Sequence, residues 1–454
     1  MKIWYIRKGM FETNSSSSHA LIFAMDLVED PPRGCYFGWE NFFLRSKKWK
    51  LRYFAAQMVS AYGPWGKLEE VLTYVFTTEE LVSLLVDGST EGLGVDHQSV
   101  WPRFVTPQGE PEIGFLRDLK KFVVDHPLVA VAGGNDNSEV YRPAGCVEAR
   151  VFPWWWDGEC VVTRNGNYWL CFDPGRGHKM RVTFGNEAPK AEFPESIDLK
   201  ITSYCDRECP WCYESASRQG RHAPLDRIAE FFEKIKGQVM EVAIGGGEPT
   251  LHPDFHWIVR AAKERGIVPN FTTRSISWLS DPVICKAVGE CVGGIGFSVC
   301  TEEDLRMARE LVSELGKRGD PDELRRVDVI WHVVEGITPS RIVRELPYGP
   351  LLILGYKRMG RGKTFQPLSE KWDEKSVKEW GLARYVAFDT VFVKEHEWTK
   401  RLAAENPYYW AGDDGEFTIA VDLVENRVGR ASYLPMKPLR DFRDARDLME
   451  LARK

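Results

Sequence analysis

From about residue 196 onward, short apolar runs alternate with segments whose apolar positions recur at helical spacing. The run 197–202 reads as a first strand, and Leu225, Ile228, Phe231, Phe232 and Ile235 then mark a helix. Further strands are expected at 239–244, 268–274, 294–300, 327–334 and 351–355. One intervening helix starts at Asp254, a good N-cap residue, and stops at Gly266. Another is capped by Thr301 and presents Leu305, Ala308, Leu311, Val312 and Leu315. Strands that alternate with helices in this way predict a parallel sheet. Six such units give an α/β fold, a partial (β/α)6 TIM-like barrel, with chemistry expected at the C-terminal ends of its strands.

The flanking regions pattern differently. Strands are expected at 3–6 and 21–23, and an amphipathic helix over 43–62. A small β sheet is expected over 150–192, with Arg164-Asn165-Gly166-Asn167 as a hairpin turn. The Pro/Gly-rich stretch 88–114 reads as a long loop or substrate lid. Strands at 386–393 and 417–424 are expected to cover the open side of the barrel, where Asp389, Tyr408, Tyr409 and Trp410 could line the opening. The expected organisation is an N-terminal α+β accessory domain (1–150) and a small sheet or linker (151–194). The barrel (195–362) and a C-terminal α+β extension (363–454) follow.

Composition narrows the classes. With 454 residues, 43% hydrophobic and 28% charged, the chain can bury more than one core. A formal net charge of −6 gives no global footprint for nucleic acid or anionic lipid, although a local basic groove stays open. The N-terminus lacks the apolar core of a signal peptide, and no apolar run approaches the roughly 18 residues needed to cross a bilayer. A cytoplasmic protein without a membrane partner is expected. Ten cysteines in such a chain read as free thiols and metal ligands rather than disulfides.

The chemistry concentrates in Cys205-Asp206-Arg207-Glu208-Cys209-Pro210-Trp211-Cys212, directly after the first predicted strand. Three thiolates at this spacing suit one iron–sulfur cluster with one iron short of a protein ligand. One strand later comes Gly246-Gly247-Glu248-Pro249, again at a strand end.

Cysteine loop, glycine–glutamate strand end and βα repeats, in this order, resemble the radical SAM superfamily over residues 195–360. The resemblance implies that Cys205, Cys209 and Cys212 bind a single [4Fe–4S] cluster, whose open iron is chelated by S-adenosyl-L-methionine (SAM). One-electron cleavage would then form a 5′-deoxyadenosyl radical that abstracts hydrogen from substrate. By the same analogy Gly246 and Gly247 let the backbone approach the methionine end. Glu248 accepts a hydrogen bond from its ammonium, and Trp211 packs near the adenine. Thr272, Arg274 and Ser298 are candidates for the SAM carboxylate and ribose. The superfamily implies an electron donor such as flavodoxin or ferredoxin.

Other readings stand beside this one. A zinc site would need a fourth ligand at short range, and His222 is the nearest in sequence. An electron carrier or sensor without SAM would leave the glycine–glutamate strand end without a purpose. Cys300 lies two residues after Ser298 and could return a hydrogen atom to a substrate radical, or serve as a small buried hydrophobe. Cys35, Cys146, Cys160, Cys171, Cys285 and Cys291 form no close pair, and residues 361–454 contain no cysteine, so one cluster is expected.

The segment Phe11-Glu12-Thr13-Asn14-Ser15-Ser16-Ser17-Ser18-His19 is similar to the start of uncharacterised phage and bacterial proteins, which suggests a phage-derived origin. It reads as a serine-rich turn or as a phosphate-binding or Ser–His loop. Trp154-Trp155-Trp156 reads as core or as a stacking platform. The run 358–363 is basic and glycine-rich, either an exit loop or a phosphate contact. Arg45, Lys47, Lys48, Lys50 and Arg52 are either a solvated face or a nucleic-acid patch. A peptide or protein substrate is favoured; a nucleotide or RNA substrate, and a non-catalytic iron–sulfur protein, are the alternatives.

Overall fold

The computed structural model describes residues 2–7, 20–23, 28–32, 36–38, 40–86, 93–96, 100–133, 147–149, 159–317, 327–381, 385–405 and 410–454. The Ser15–His19 loop, Trp154–Trp156, Cys35, Cys146, Tyr408 and Tyr409 lie outside the described residues. The chain forms two compact units, residues 1–173 with 178–189, and residues 190–454 with 174–177.

In the first unit, a five-stranded sheet runs Lys2–Arg7, Lys179–Thr183, Tyr168–Phe172, Glu159–Asn165, Arg103–Val105. Tyr168 pairs with Asn165 across the predicted hairpin turn, and Gly166 supplies the positive φ of 63° that the turn requires. The strands expected at 150–192 therefore join an N-terminal strand in one sheet. A four-stranded sheet runs Phe42–Leu44, Val129–Gly133, Ala20–Phe23, Val147–Ala149. The stretch expected as a lid carries strands Gly94–Val95 and Arg103–Val105 among its described residues.

The predicted basic helix spans Lys47–Tyr62, later than expected because Phe42–Leu44 is a strand and Ser46 caps the helix. It is not a one-sided basic surface. Lys50 is buried and donates to the carbonyls of His126 and Val129 at 2.8 and 2.9 Å. Arg52 is also buried, with its guanidinium over the Trp49 ring. Buried backbone acceptors must find donors, and here a lysine ammonium provides two bonds at once.

The second unit is built on a ten-stranded sheet. Seven parallel strands follow in order: Ser196–Thr202, Glu241–Gly246, Val268–Thr273, Gly294–Ser298, Asp328–Val334, Leu351–Leu354 and Val386–Phe388. The first six are the expected barrel strands, and the sheet stays open. Along the first strand Ile197, Leu199 and Ile201 are buried, while exposed Asp198 and half-buried Lys200 line an open cavity. The inner face of this sheet therefore carries polar groups.

The C-terminal extension differs from expectation. Only Val386–Phe388 of the stretch 386–393 is a strand, and it lengthens the parallel sheet. Asp389 then caps a helix, Thr390–Glu395, by accepting from the Phe392 N–H. Thr418–Asp422 pairs in parallel with the first strand on its other side and continues into antiparallel Arg427–Gly429 and Lys437–Pro438. The extension thus adds strands at both sheet edges. Among the described residues, no helix is long and apolar enough to cross a membrane.

Replacing Lys50 with Met should cost about 2–4 kcal/mol in urea unfolding of the full chain, because two buried carbonyls lose their donor. Lys47→Met, which removes an exposed pair with Asp125, should cost less than about 1 kcal/mol. Equal effects of the two would contradict this arrangement.

Candidate active site

The first barrel strand ends at Thr202, and its hydroxyl accepts the Tyr204 N–H at 2.9 Å to start the turn. The Cys205 N–H donates to the Ser217 carbonyl, and the Ser217 N–H donates back to Ser203. Glu208 takes up a left-handed φ of 45°, costly for a side-chain-bearing residue and held here by the surrounding loop. A basic residue not singled out in the sequence braces this loop. The Arg361 guanidinium donates to the Cys209 and Ala216 carbonyls at 2.9 and 2.8 Å, and its N–H donates to the Cys212 carbonyl. The glycine-rich run 358–363 is therefore part of the loop's support. A Cβ on Gly360 would lie 2.4 Å from the Tyr213 carbonyl.

The three half-buried thiols line a cavity of about 1070 Å³ within the second unit. The residues that the resemblance and its neighbourhood single out line it too: Trp211, Gly246, Gly247, Glu248, Thr272, Arg274, Ser298 and Cys300. Thr272 and Ser298 sit on the third and fourth strands, and their hydroxyls make no hydrogen bond among the described residues. His222 does not line the cavity; its ring meets the Thr202 hydroxyl and His252.

Gly246, Gly247, Glu248 and Arg274 also serve the protein's own structure. Gly246 and Gly247 are glycine because of the chain's own backbone: added Cβ atoms would lie 2.2 Å from the Thr202 carbonyl and 2.0 Å from that of Tyr204. Gly246 also has a φ of 111°, accessible to glycine. Gly245 is the open one, with nothing within 4 Å of its Cβ position. Glu248 is buried and its carboxylate is engaged. It accepts from the Thr250 and Thr273 hydroxyls at 2.7 and 2.8 Å and from the Arg274 N–H at 3.1 Å. The carboxylate thus ties strand ends together through Oε1, while Oε2 takes only the Arg274 N–H and keeps acceptor capacity in a residue that lines the cavity.

Arg274 is likewise engaged. Its guanidinium forms a two-pronged pair with Asp304, which is fully buried, at 2.8 and 2.6 Å. Its remaining prong donates to the Cys209 Sγ at 2.7 Å, and the group lies over the Trp211 ring. Asp304 also accepts from the Cys300 and Thr301 N–H groups. Arg274 therefore contacts a cysteine thiol.

Cys300 is buried in an apolar group with Ile337 and Tyr356, against Trp211, Val334 and Phe365. Burial pushes its thiol up to about 12, so it stays protonated. His332 lies over Gly296, where a Cβ would collide with the ring. Burial, then the nearby Lys357 charge, lowers His332 to about 4, so it is neutral near pH 7.

Residues 199–326 match the model of the Radical SAM superfamily. The matched stretch runs from the first barrel strand, through the cysteine loop and the glycine–glutamate strand end, to beyond the fourth strand. Over 97 residues it is 32% identical to a PqqA peptide cyclase of Ruegeria pomeroyi, covering 20% of this chain and 26% of that protein. The chain thus spans about a quarter of the length of that relative. Among solved structures, Streptococcus suis SuiB bound to precursor peptide SuiA is 14% identical, with a TM-score of 0.43 over 58% of this chain and 65% of that one. Native anSMEcpe with bound AdoMet is 13% identical, with a TM-score of 0.37 over 55% and 79%. Likeness at this level carries no functional weight.

The cavity fits the cofactors that the resemblance implies. Among the described residues, no three His, Cys, Asp or Glu groups converge as one metal ion requires, whereas the three loop thiols share one cavity wall. The space beside Gly245, the free hydroxyls of Thr272 and Ser298, and the apolar group around Trp211 and Tyr356 offer a polar end and an apolar end for SAM.

Gly247→Ala should destabilise the loop by about 3 kcal/mol or more, because backbone atoms would have to move, and the reconstituted protein should lose most of its iron. Gly245→Ala should keep the iron and weaken SAM binding, measured by equilibrium dialysis. Iron loss in both variants, or in neither, would contradict the geometry.

Proposed function

We propose that this cavity is the active site of a radical SAM enzyme that acts on a peptide. The carrying observation is the convergence of Cys205, Cys209 and Cys212 with the glycine strand end, Thr272 and Ser298 around one space. The likeness to a peptide cyclase supports the substrate class. When bound, the cluster supplies one electron and SAM supplies the alkyl radical that takes hydrogen from substrate.

The chain's own residues hold and tune this site. Cys205, Cys209 and Cys212 would hold the cluster, which would leave one position for SAM. Arg274 donates to the Cys209 Sγ, which stabilises negative charge there and favours the reduced cluster. Trp211, Val334, Ile337 and Tyr356 form the apolar wall for the adenine, and the Thr272 and Ser298 hydroxyls face the polar part of SAM. Cys300, kept as a thiol against that wall, is placed to return a hydrogen atom to substrate. Of the basic residues on and before the first helix, Lys50 and Arg52 are buried while Lys47 and Lys48 are exposed.

Anaerobic reconstitution with iron and sulfide, followed by SAM and dithionite, should yield 5′-deoxyadenosine and methionine, detected by mass spectrometry. Cys209→Ala should reduce both to background. A fully loaded cluster that gives no 5′-deoxyadenosine would overturn the enzymatic reading in favour of a sensor or carrier.

A further inference from the structure

The cavity extends beyond the cofactor end to a set of polar side chains without a role so far. Asp198 lies four residues before the end of the first strand, about 13 Å along it at strand rise. Its carboxylate is exposed to the open cavity and has no hydrogen bond or ion pair with any described residue. Lys357, Asp389, Asp414, Tyr213 and Tyr433 line the same space.

The neighbouring acids are already occupied. Asp389 accepts the Gly355 and Phe392 N–H groups at 2.9 and 2.8 Å, and Asp414 accepts from the Tyr433 hydroxyl and Lys394. Lys357 reaches no closer than 4.0 Å to Asp389 and rests over the Tyr213 and Tyr433 rings at 4.7 and 5.1 Å. These rings thus already present a face to one cation. His332, deep and neutral, also lines the cavity with no hydrogen-bond partner among the described residues. A carboxylate without a protein partner, in a cavity that also presents two tyrosine rings, is open to a ligand that brings a cation.

We propose that Asp198 anchors a cationic side chain of the peptide substrate, the ammonium of lysine or the guanidinium of arginine, which enters between Tyr213 and Tyr433. The proposal deepens the peptide-modifying reading and rests on it. Lys357 is the like charge that such a side chain must meet, so it weakens binding of cations generally and sharpens the requirement for Asp198. His332 offers a neutral ring nitrogen to the same head group.

The test uses the full chain with reconstituted cluster and SAM. The probes are N-acetyl-lysine methylamide and N-acetyl-arginine methylamide, with the norleucine, glutamine and glutamate analogues as neutral and anionic comparators. Saturation-transfer NMR titrations should favour the cationic probes by about tenfold or more. Asp198→Asn should abolish that preference, and Lys357→Met should tighten cation binding. Thermal unfolding shows whether each variant is folded, and either variant alone suffices. Equal binding of neutral or anionic probes to the wild type, or an unchanged preference in Asp198→Asn, would overturn the proposal. So would weaker cation binding in folded Lys357→Met. Formation of 5′-deoxyadenosine by the wild type without any probe tests the underlying radical SAM reading separately.

Discussion

The site depends on a close backbone approach between the ends of the first two barrel strands. The Gly247 and Glu248 N–H groups donate to the Thr202 and Tyr204 carbonyls, both at 2.8 Å, and fix the start of the cysteine loop against the second strand. The approach requires residues without a Cβ at 246 and 247. Two short polar bonds and two absent side chains thus set where the thiols lie.

From this contact a chain of charge-assisted hydrogen bonds runs around the mouth of the barrel. Glu248 binds Thr273 and the Arg274 N–H, Arg274 pairs with buried Asp304, and its last prong returns to the Cys209 thiol. The path begins and ends at the cysteine loop. Buried ion pairs gain from such shared donors and acceptors, because an unpaired member would be left desolvated. Asp304 serves both ends, since it also accepts from the Cys300 N–H beside the apolar wall. Arg361 closes the loop from the other side by holding two of its carbonyls and that of Ala216.

Much of this was legible in the chain, for identifiable reasons. The six barrel strands stand out because their apolar runs are short, regular and separated by helices. The cysteine spacing and the glycine pair reveal the site because only those residue types serve there. Pairings across the sequence were not legible. Nothing local shows that Thr418–Asp422 lies beside the first strand, or that Asp389 turns an apolar run into a helix. The protein partners of Glu248 and Arg274, Thr273 and Asp304, are not legible either, because they are distant in sequence and look like ordinary strand and helix residues. Asp304 falls on the same helical face as Leu305 and Ala308, so its burial was concealed by a polar residue type. Asp198 was hidden differently, since an isolated acid in a strand reads as an ordinary surface residue, and here its exposed carboxylate lines the cavity.

The central claim is that the loop thiols hold a cluster whose open iron faces a SAM site in the same cavity. Electron paramagnetic resonance of the dithionite-reduced protein, recorded with and without SAM, tests it most directly. The account predicts a [4Fe–4S]+ signal whose g-values shift when SAM is added, with the shift lost in Gly245→Ala at limiting SAM. A signal unchanged by saturating SAM would contradict it.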